Sequence, residues 1–569
     1  MEITQQNFES RLPDVLKAIS TCDFLSFDCE FSGFGLGGLA ILPYDTPTLV
    51  YDKAKANIGN YTVMQFGLAT FSYDPPSKEF RYRAFNFYVF PRLPKSLQRL
   101  RACVSDQFTF SAQADCMDFL ASQNFDFNKW VAQGVGYLRE AELNKLCDEL
   151  KRRYTWKMKS GRVDEANTSK AKNDLKIPEH ARTKINNSMR IIKEFVADSN
   201  STEMTLSDIN MQERRIIFQM IEKEYPTSLF AHGVSREDGT TDIFIRKCED
   251  AEDHDRMQQE KLALELKELE NAAGFCKVIK AITESRKPIL GHNLFHDLLH
   301  VVRAFCCPLP DTYEQFKELI QARFRKIIDT KVLAGQKPLQ AVAGSGMSLG
   351  DLYRKVTCPK PFADVLVKPE EPEYGYTFCK ENLHEAGYDA FLTGFIFIRL
   401  ANYLGDQKTP NRPTCDVPWD MLRALLGKIT PGRIIDLPWL SLGTPDLIPD
   451  RRHVFHISFK SGQTWTNHEI TQLFSPYGQV FVNWIDERSA FVSLKNREQS
   501  GLVTKAMMED QASAVNTVWH LRLATDYLNE MEQSLNARLS QSTTQQPLQL
   551  ADGDEPMEEN GAMKRVRCS

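Results

Sequence analysis

Three short apolar runs, each delivering polar residues at its end, constrain the fold of this chain more than any other feature. Phe24-Leu25-Ser26-Phe27 leads into Asp28-Cys29-Glu30, Pro288-Ile289-Leu290 into Gly291 and a helical stretch through His300, and Ile327-Ile328 into Asp329-Thr330. Runs this short and this apolar suit buried strands. Between and around them lie helix-period segments, Phe8 to Ser20 first and His384 to Tyr403 last. Strands alternating with helices point to an α/β domain. Tyr61 to Phe71 and Arg83 to Val89 are further strand-like runs that follow one another directly, so the sheet begins with antiparallel neighbours and is mixed.

The α/β pattern is interrupted and then resumed. At roughly 150 residues per domain, a chain of 569 residues has room for about three or four domains. The larger α/β block occupies residues 1–165, breaks at a polar, apolar-poor linker over 157–177, and returns over 250–408. Residues 178–246 carry two amphipathic helices and two strand-like ends, enough for a small inserted domain. After a Pro-rich connection, residues 446–525 alternate strand and helix on a smaller scale. Residues 526–569 turn Gln/Ser/Thr-rich and then acidic, which predicts a disordered tail.

Bulk composition narrows the function classes. A net charge of −5 argues against a non-specific nucleic-acid binder, but suits an enzyme whose acidic site is offset by bound divalent metal. The polar N-terminus is no signal peptide, and no apolar stretch approaches the ~18 residues of a spanning helix, so no membrane partner is expected. Thirteen cysteines without a C-x-x-C pair read as reduced thiols of the cytoplasm or nucleus.

The chemistry lies in three motifs. Asp28-Cys29-Glu30 at a strand end sets two carboxylates on one face, because side chains at i and i+2 share a side. Gly291-His292-Asn293-Leu294-Phe295-His296-Asp297 adds a third carboxylate at the start of a helix. His292, His296 and His300 fall at helical spacing but lack the glutamate of H-E-x-x-H, so zinc is not favoured. His384-Glu385-Ala386-Gly387-Tyr388-Asp389 places a histidine five positions before a fourth carboxylate, ahead of a long apolar helix. Each motif is weak alone. In this order and on these element ends, the set matches the DEDDh exonucleases. Four carboxylates, Asp28, Glu30, Asp297 and Asp389, can hold two divalent ions, Mg²⁺ by their oxygen chemistry and also Mn²⁺. His384 is the expected general base.

With their surroundings the motifs resemble the poly(A)-specific ribonuclease (deadenylase) family. The matching stretches are FDCEFSG at Phe27–Gly33, FNFYVFP at Phe85–Pro91, DFLASQNFDFNKW at Asp118–Trp130, GHNLFHD at Gly291–Asp297, IDTK at Ile328–Lys331 and LHEAGYDAFLTG at Leu383–Gly394. The resemblance implies an RNase H-like DEDD nuclease domain, interrupted by a small domain named for an Arg-x-x-x-His motif and followed by an RRM-like domain. It implies removal of 3′-terminal adenosines with release of AMP, use of Mg²⁺ and a homodimer. It further implies RNA contacts at Phe31, Phe34, Met117, Phe119 and Lys331, and stacking of an mRNA cap or a base on Trp484. Phe455 and Phe491 hold the places of RRM base-stacking aromatics, where either stacking on a base or packing in the core fits the sequence.

This chain departs from the family at several points. His296 and Phe34 stand where apolar and aliphatic residues are familiar, and Arg215-x-x-x-Gln219 replaces Arg-x-x-x-His. Two further readings follow: trimming of small non-coding RNAs such as piRNA precursors, and an inactive RNA-binding scaffold, which no lost carboxylate supports. Lys564-Arg565-Val566-Arg567 fits a short nuclear-import signal.

Overall fold

The computed structural model describes residues 1–35, 39–94, 97, 100, 103–104, 108–160, 177–236, 240–344, 347–358, 360–362, 365–376, 382–408, 417–460, 465–509 and 519–543. The catalytic portion is built on strands β1 (Glu2–Ile3), β2 (Phe24–Phe31), β3 (Val63–Asp74), β4 (Glu79–Tyr88), β5 (Ile289–Gly291), β6 (Ile327–Asp329) and β7 (Val367–Pro369). Their order in the sheet is β1-β4-β3-β2-β5-β6, with β7 also on β4. The β2–β3–β4 meander is antiparallel, and β5 and β6 join parallel to β2. The sheet is therefore mixed, as the adjacent strand-like runs suggested. Helices that position the site are α1 (Phe8–Thr21), α2 (Ala114–Ser122), α3 (Phe295–Val301) and α4 (Ala386–Lys408).

Both faces of this sheet are covered, which explains why its strands read as apolar runs rather than alternating ones. On one face Leu25, Phe27 and Cys29 of β2 pack with α1 residues such as Val15 and α3 residues such as Leu298. On the other, Phe24 packs with Phe391 and Phe397 of α4. Ser26 points to that second face, and its hydroxyl donates to the Ala390 carbonyl at 2.6 Å. By the two-residue period, Asp28 and Glu30 follow Ser26 onto the α4 side. A helix can approach so closely only across a glycine. A Cβ on Gly67, the partner of Asp28 in β3, would stand 1.8 Å from the Ala386 carbonyl oxygen.

The chain divides into two units, Met1–Pro43 with Val50–Ile448, and Tyr44–Leu49 with Pro449–Ser569. The small module lies within the first. Helices Glu179–Ala197 and Met211–Glu224 and a three-stranded sheet enclose its own apolar core around Ile185, Ile217 and Ile243. An Asn210–Glu213 capping box starts its second helix. Arg215 is exposed on that helix and Gln219 is half-buried. Of the expected 157–177 linker, residues 161–176 lie outside the described residues, and helix Glu140–Ser160 runs up to them.

The second unit is a four-stranded antiparallel sheet with helix Asn467–Phe474 on its core. Here one expectation is corrected and one open alternative is decided. Helix Ala524–Thr543 occupies the start of the segment expected to be disordered from residue 526. Its Tyr527 stacks on His456 at 3.9 Å, and Leu528 and Leu535 are buried, so a helical period lay within the polar composition. Residues 544–569, including Lys564-Arg565-Val566-Arg567, lie outside the described residues. Phe455 and Phe491 are both fully buried. Phe455 faces the core helix beside Phe474, and Phe491 is covered by Tyr44 and Tyr527, so neither offers a face to a base.

Candidate active site

Three element ends deliver the four acidic residues to one place. β2 carries Asp28 and Glu30, α3 carries Asp297 in its first turn, and α4 carries Asp389 in its first turn. Ligand atoms of Glu30, His384 and Asp389 all lie within 4.8 Å of one another. Asp297 joins them electrostatically, acting on both Asp28 and Glu30.

The charges acting there share one sign. Burial first, then Asp297, pushes the Asp28 carboxyl well above the usual range. Burial, then Asp28, Asp389 and Asp297, does the same to Glu30. Asp389 rises for burial and for Asp28, against a hydrogen bond from His384. The Asp297 carboxyl is pushed up to about 8, by burial first and then by Asp329. Buried carboxylates that repel one another hold either protons or a cation. One Asp389 carboxylate oxygen, Oδ1, is buried and accepts no hydrogen bond, which leaves its lone pairs open to a cation. Oxygen donors with one imidazole nearby fit a hard divalent cation.

His384 sits just outside α4 with φ +69, so the expected helix start moves two residues later, to Ala386. The left-handed backbone lets its N–H donate to Asp389 Oδ2 at 3.0 Å while the imidazole stays exposed. Desolvation holds its pKa below the ordinary value, so the ring is neutral near pH 7 and can accept a proton.

The expected RNA contacts separate on inspection. Phe119 on α2 is 44% exposed, with its ring edge-on to His384 at 4.8 Å. Phe34 is 45% exposed and leans on Phe31 and His296. Met117 is half-buried against Leu120 and Trp130. Lys331 is half-buried, its ammonium 3.5 Å from Asn293 Oδ1 in the loop that leads to Asp297. Phe31 corrects the expectation of direct stacking: it is 4% exposed and its ring lies flat on His300 at 3.9 Å. It falls on the side of β2 that packs into the core, and so braces Phe34. In the second unit Trp484 is half-buried beside Phe459, and its indole N–H donates to Asn467 Oδ1 at 2.7 Å. His292 is structural, bonded to the Thr330 hydroxyl and the Met347 carbonyl. It does not join a histidine cluster.

Several positioning residues escaped the sequence reading. Asp329 at the end of β6 is 1% exposed and accepts four backbone N–H groups, from Asn293, Leu294, Lys331 and Thr430. It thereby fixes the loop before Asp297, including Asn293 at φ +60. At α4, Gln65 and Asn86 side-chain oxygens accept from the otherwise unpaired N–H groups of Ala386 and Gly387. The only sequence sign of the first was an acid at the end of a third apolar run.

Residues 3–397 match the CAF1 family ribonuclease, and residues 444–522 match an RNA binding domain. The chain is 36% identical over 502 residues to the poly(A)-specific ribonuclease PARN of Xenopus laevis, covering 88% of this chain and 78% of that protein. It is 35% identical to the Homo sapiens counterpart, covering 88% and 77%. To the pre-piRNA 3′-exonuclease trimmer of Bombyx mori it is 26% identical over 510 residues, covering 87% and 88%.

Proposed function

Because the chain belongs to the CAF1 ribonuclease family, alongside its poly(A)-specific ribonucleases, we propose that it is a 3′-to-5′ exoribonuclease that shortens poly(A) tails and releases AMP. The observation that carries this reading is the convergence of four carboxylates, Asp297 and Asp389 buried and Asp28 and Glu30 half-buried, with an exposed, neutral imidazole. Asp28, Glu30, Asp297 and Asp389 would hold the divalent ions, two Mg²⁺ in this proposal, with Mn²⁺ able to replace them. Bound there, the ions supply positive charge against the phosphodiester and make water more acidic.

The chain's own residues do the rest. His384 takes the proton of the attacking water on an imidazole nitrogen, and its exposure leaves room for that water. The hydrogen bond from its N–H to Asp389 sets the distance between base and carboxylate. Exposed Phe119 and Phe34 offer faces to the last bases, and Lys331 offers charge to a phosphate. A homodimer and cap stacking on Trp484 belong to the same proposal. The indole bond to Asn467 leaves only part of that ring for a cap.

The test is release of AMP from labelled oligo(A), with and without Mg²⁺, by the intact chain and by His384→Ala. Metal-dependent release that falls about 10²- to 10⁴-fold in the variant is expected. No release by the intact chain, or full activity of the variant, overturns the reading. The likeness to the silkworm trimmer supports a second substrate, small-RNA 3′ ends. Sequencing of RNA 3′ ends after depletion separates the two.

A further inference from the structure

The first unit contains a cleft of about 370 Å³ whose lining, among the described residues, includes Lys55, Arg139 and Arg303 and no carboxylate. Its size falls in the lower part of the roughly 300–1,000 Å³ range of small-ligand sites. Phe110, Thr62 and the Tyr137 hydroxyphenyl, whose oxygen is 3.0 Å from that of Thr62, complete an amphipathic wall.

The positive charge is incompletely balanced. Arg139 pairs closely with Glu142. Lys55 pairs with Asp311 at 3.1 Å, but Asp311 is 92% exposed, so water screens most of that attraction. Arg303 has neutral acceptors only, the Tyr61 carbonyl at 2.9 Å and Asn60 Oδ1 at 2.8 Å. Burial and then the like charge of Arg139 disfavour its charged form, and the Tyr137 phenol offsets them only in part. Arg139 donates to the Arg303 carbonyl at 3.3 Å, and the like charges of the two guanidinium groups lining one cleft favour an anion there.

The cleft is also tied to the catalytic cluster. Arg303 follows Asp297 by six residues on α3 and the π-helical turn Val302–Cys306 that continues it, roughly 9 Å along the axis. π turns recur at functional sites. Ser32, next to the buried Phe31, donates its N–H to the Thr62 carbonyl and its hydroxyl to the Ser111 carbonyl, beside Phe110.

We propose that this cleft is a second nucleotide-binding site, taking a phosphate on Arg303, Arg139 and Lys55 with the nucleoside against Phe110. The nucleotide is a free 5′-monophosphate or an upstream unit of the RNA. Its class rests on the reading above; the charge of the cleft does not.

Lys55→Glu and Arg303→Lys test it in the full chain. The first changes a surface pair, and the second keeps the charge but loses the paired tether to Tyr61 and Asn60. Two quantities are read: binding of 5′-AMP and of inorganic phosphate by calorimetry in chelator, and kcat and KM on the dinucleotide ApA and on a longer oligo(A) in Mg²⁺. If AMP binding weakens about tenfold in Lys55→Glu, the site takes free nucleotide. If AMP is unaffected but KM for the longer RNA alone rises about tenfold, the site takes an RNA unit. Unchanged values on both probes overturn the proposal, as does an equal loss on ApA, which would place the effect in the catalytic cluster. Should Arg303→Lys lose its folded melting transition, Lys55→Glu alone decides. Turnover of ApA by the intact chain tests the catalytic reading separately.

Discussion

Replacing Asp329 with asparagine should damage both stability and catalysis, although the residue touches neither substrate nor the cluster's metal-facing oxygens. Its carboxylate accepts N–H groups from both sides, Asn293 and Lys331 on Oδ1, Leu294 and Thr430 on Oδ2. An asparagine keeps one carbonyl oxygen and turns an NH₂ toward the other two donors. Two buried N–H groups lose their acceptor, at roughly 1–3 kcal/mol each. The opposing effect is relief of the repulsion that Asp329 exerts on Asp297. Burial, not Asp329, is the larger cause of the high Asp297 pKa, so this relief is the smaller quantity. The net loss is about 3 kcal/mol, a large part of the ~5–15 kcal/mol that stabilises a typical domain. Urea denaturation of the full chain measures it as a shift in midpoint at constant slope. The same lost bonds free the Asn293–Leu294 loop that sets Asp297. A displacement near 1 Å costs about 10²-fold in rate, so kcat on oligo(A) should fall by that order with KM little changed. An unchanged midpoint together with unchanged kcat would refute the claim that Asp329 holds the Asp297 loop.

Asp389→Asn should abolish AMP release yet shift stability in chelator by less than about 1 kcal/mol, because burial and Asp28 already disfavour the charged carboxylate in the metal-free native state; thermal melts with and without Mg²⁺ check this, and a stabilisation by Mg²⁺ equal to that of the intact chain counts against it. The raised Asp297 carboxyl also sets a pH dependence. Its proton is held more tightly in the folded state, so its stabilising contribution is full below the unfolded value of 3.8 and is lost as pH rises through about 8. Metal-free melting temperature should therefore decline across that window, and excess Mg²⁺ should remove the decline; a rising metal-free curve would reverse the sign and sink the assignment. Phe119→Ala removes one stacking face worth ~1–3 kcal/mol, so KM for oligo(A) should rise between about fivefold and a hundredfold with the melting temperature unchanged; fluorescence titration with RNA reads it, and unaltered affinity would return Phe119 to a packing role.

What the sequence disclosed was what local pattern can carry. Asp28 and Glu30 were assigned to one face from a two-residue period, and β2 keeps that period through Ser26, whose hydroxyl meets α4. The apolar runs were legible because both faces of the sheet are covered. Local pattern also misled where two periods overlapped. Motif position marks Phe31 as an RNA contact and leaves Phe491 between stacking and packing, but the face of the strand decides, and both are buried. The Gln/Ser/Thr bias after residue 526 hid Leu528 and Leu535, which sit a helical repeat apart and draw the segment into a helix.

The residues that make the cluster accurate were the illegible ones, and there is a physical reason. Asp329 reaches Asn293 across 36 positions and Thr430 across 101, and Asn86 reaches Gly387 across 301. No periodicity spans such separations. A carboxylate on a local strand end is enough to place a charge near a site, but not to hold it there against three others of the same sign. That requires donors pinned from elsewhere in the chain. Gly67 makes the same point in reverse: its missing side chain, invisible as a signal, is what lets α4 bring Asp389 down beside Asp28. The catalytic acids were readable because they end local elements, whereas their spacing is set by contacts that exist only once the sheet is assembled. Substitutions at Asp329, Asn86 or Gly67 should therefore perturb kcat without altering any residue that meets the RNA.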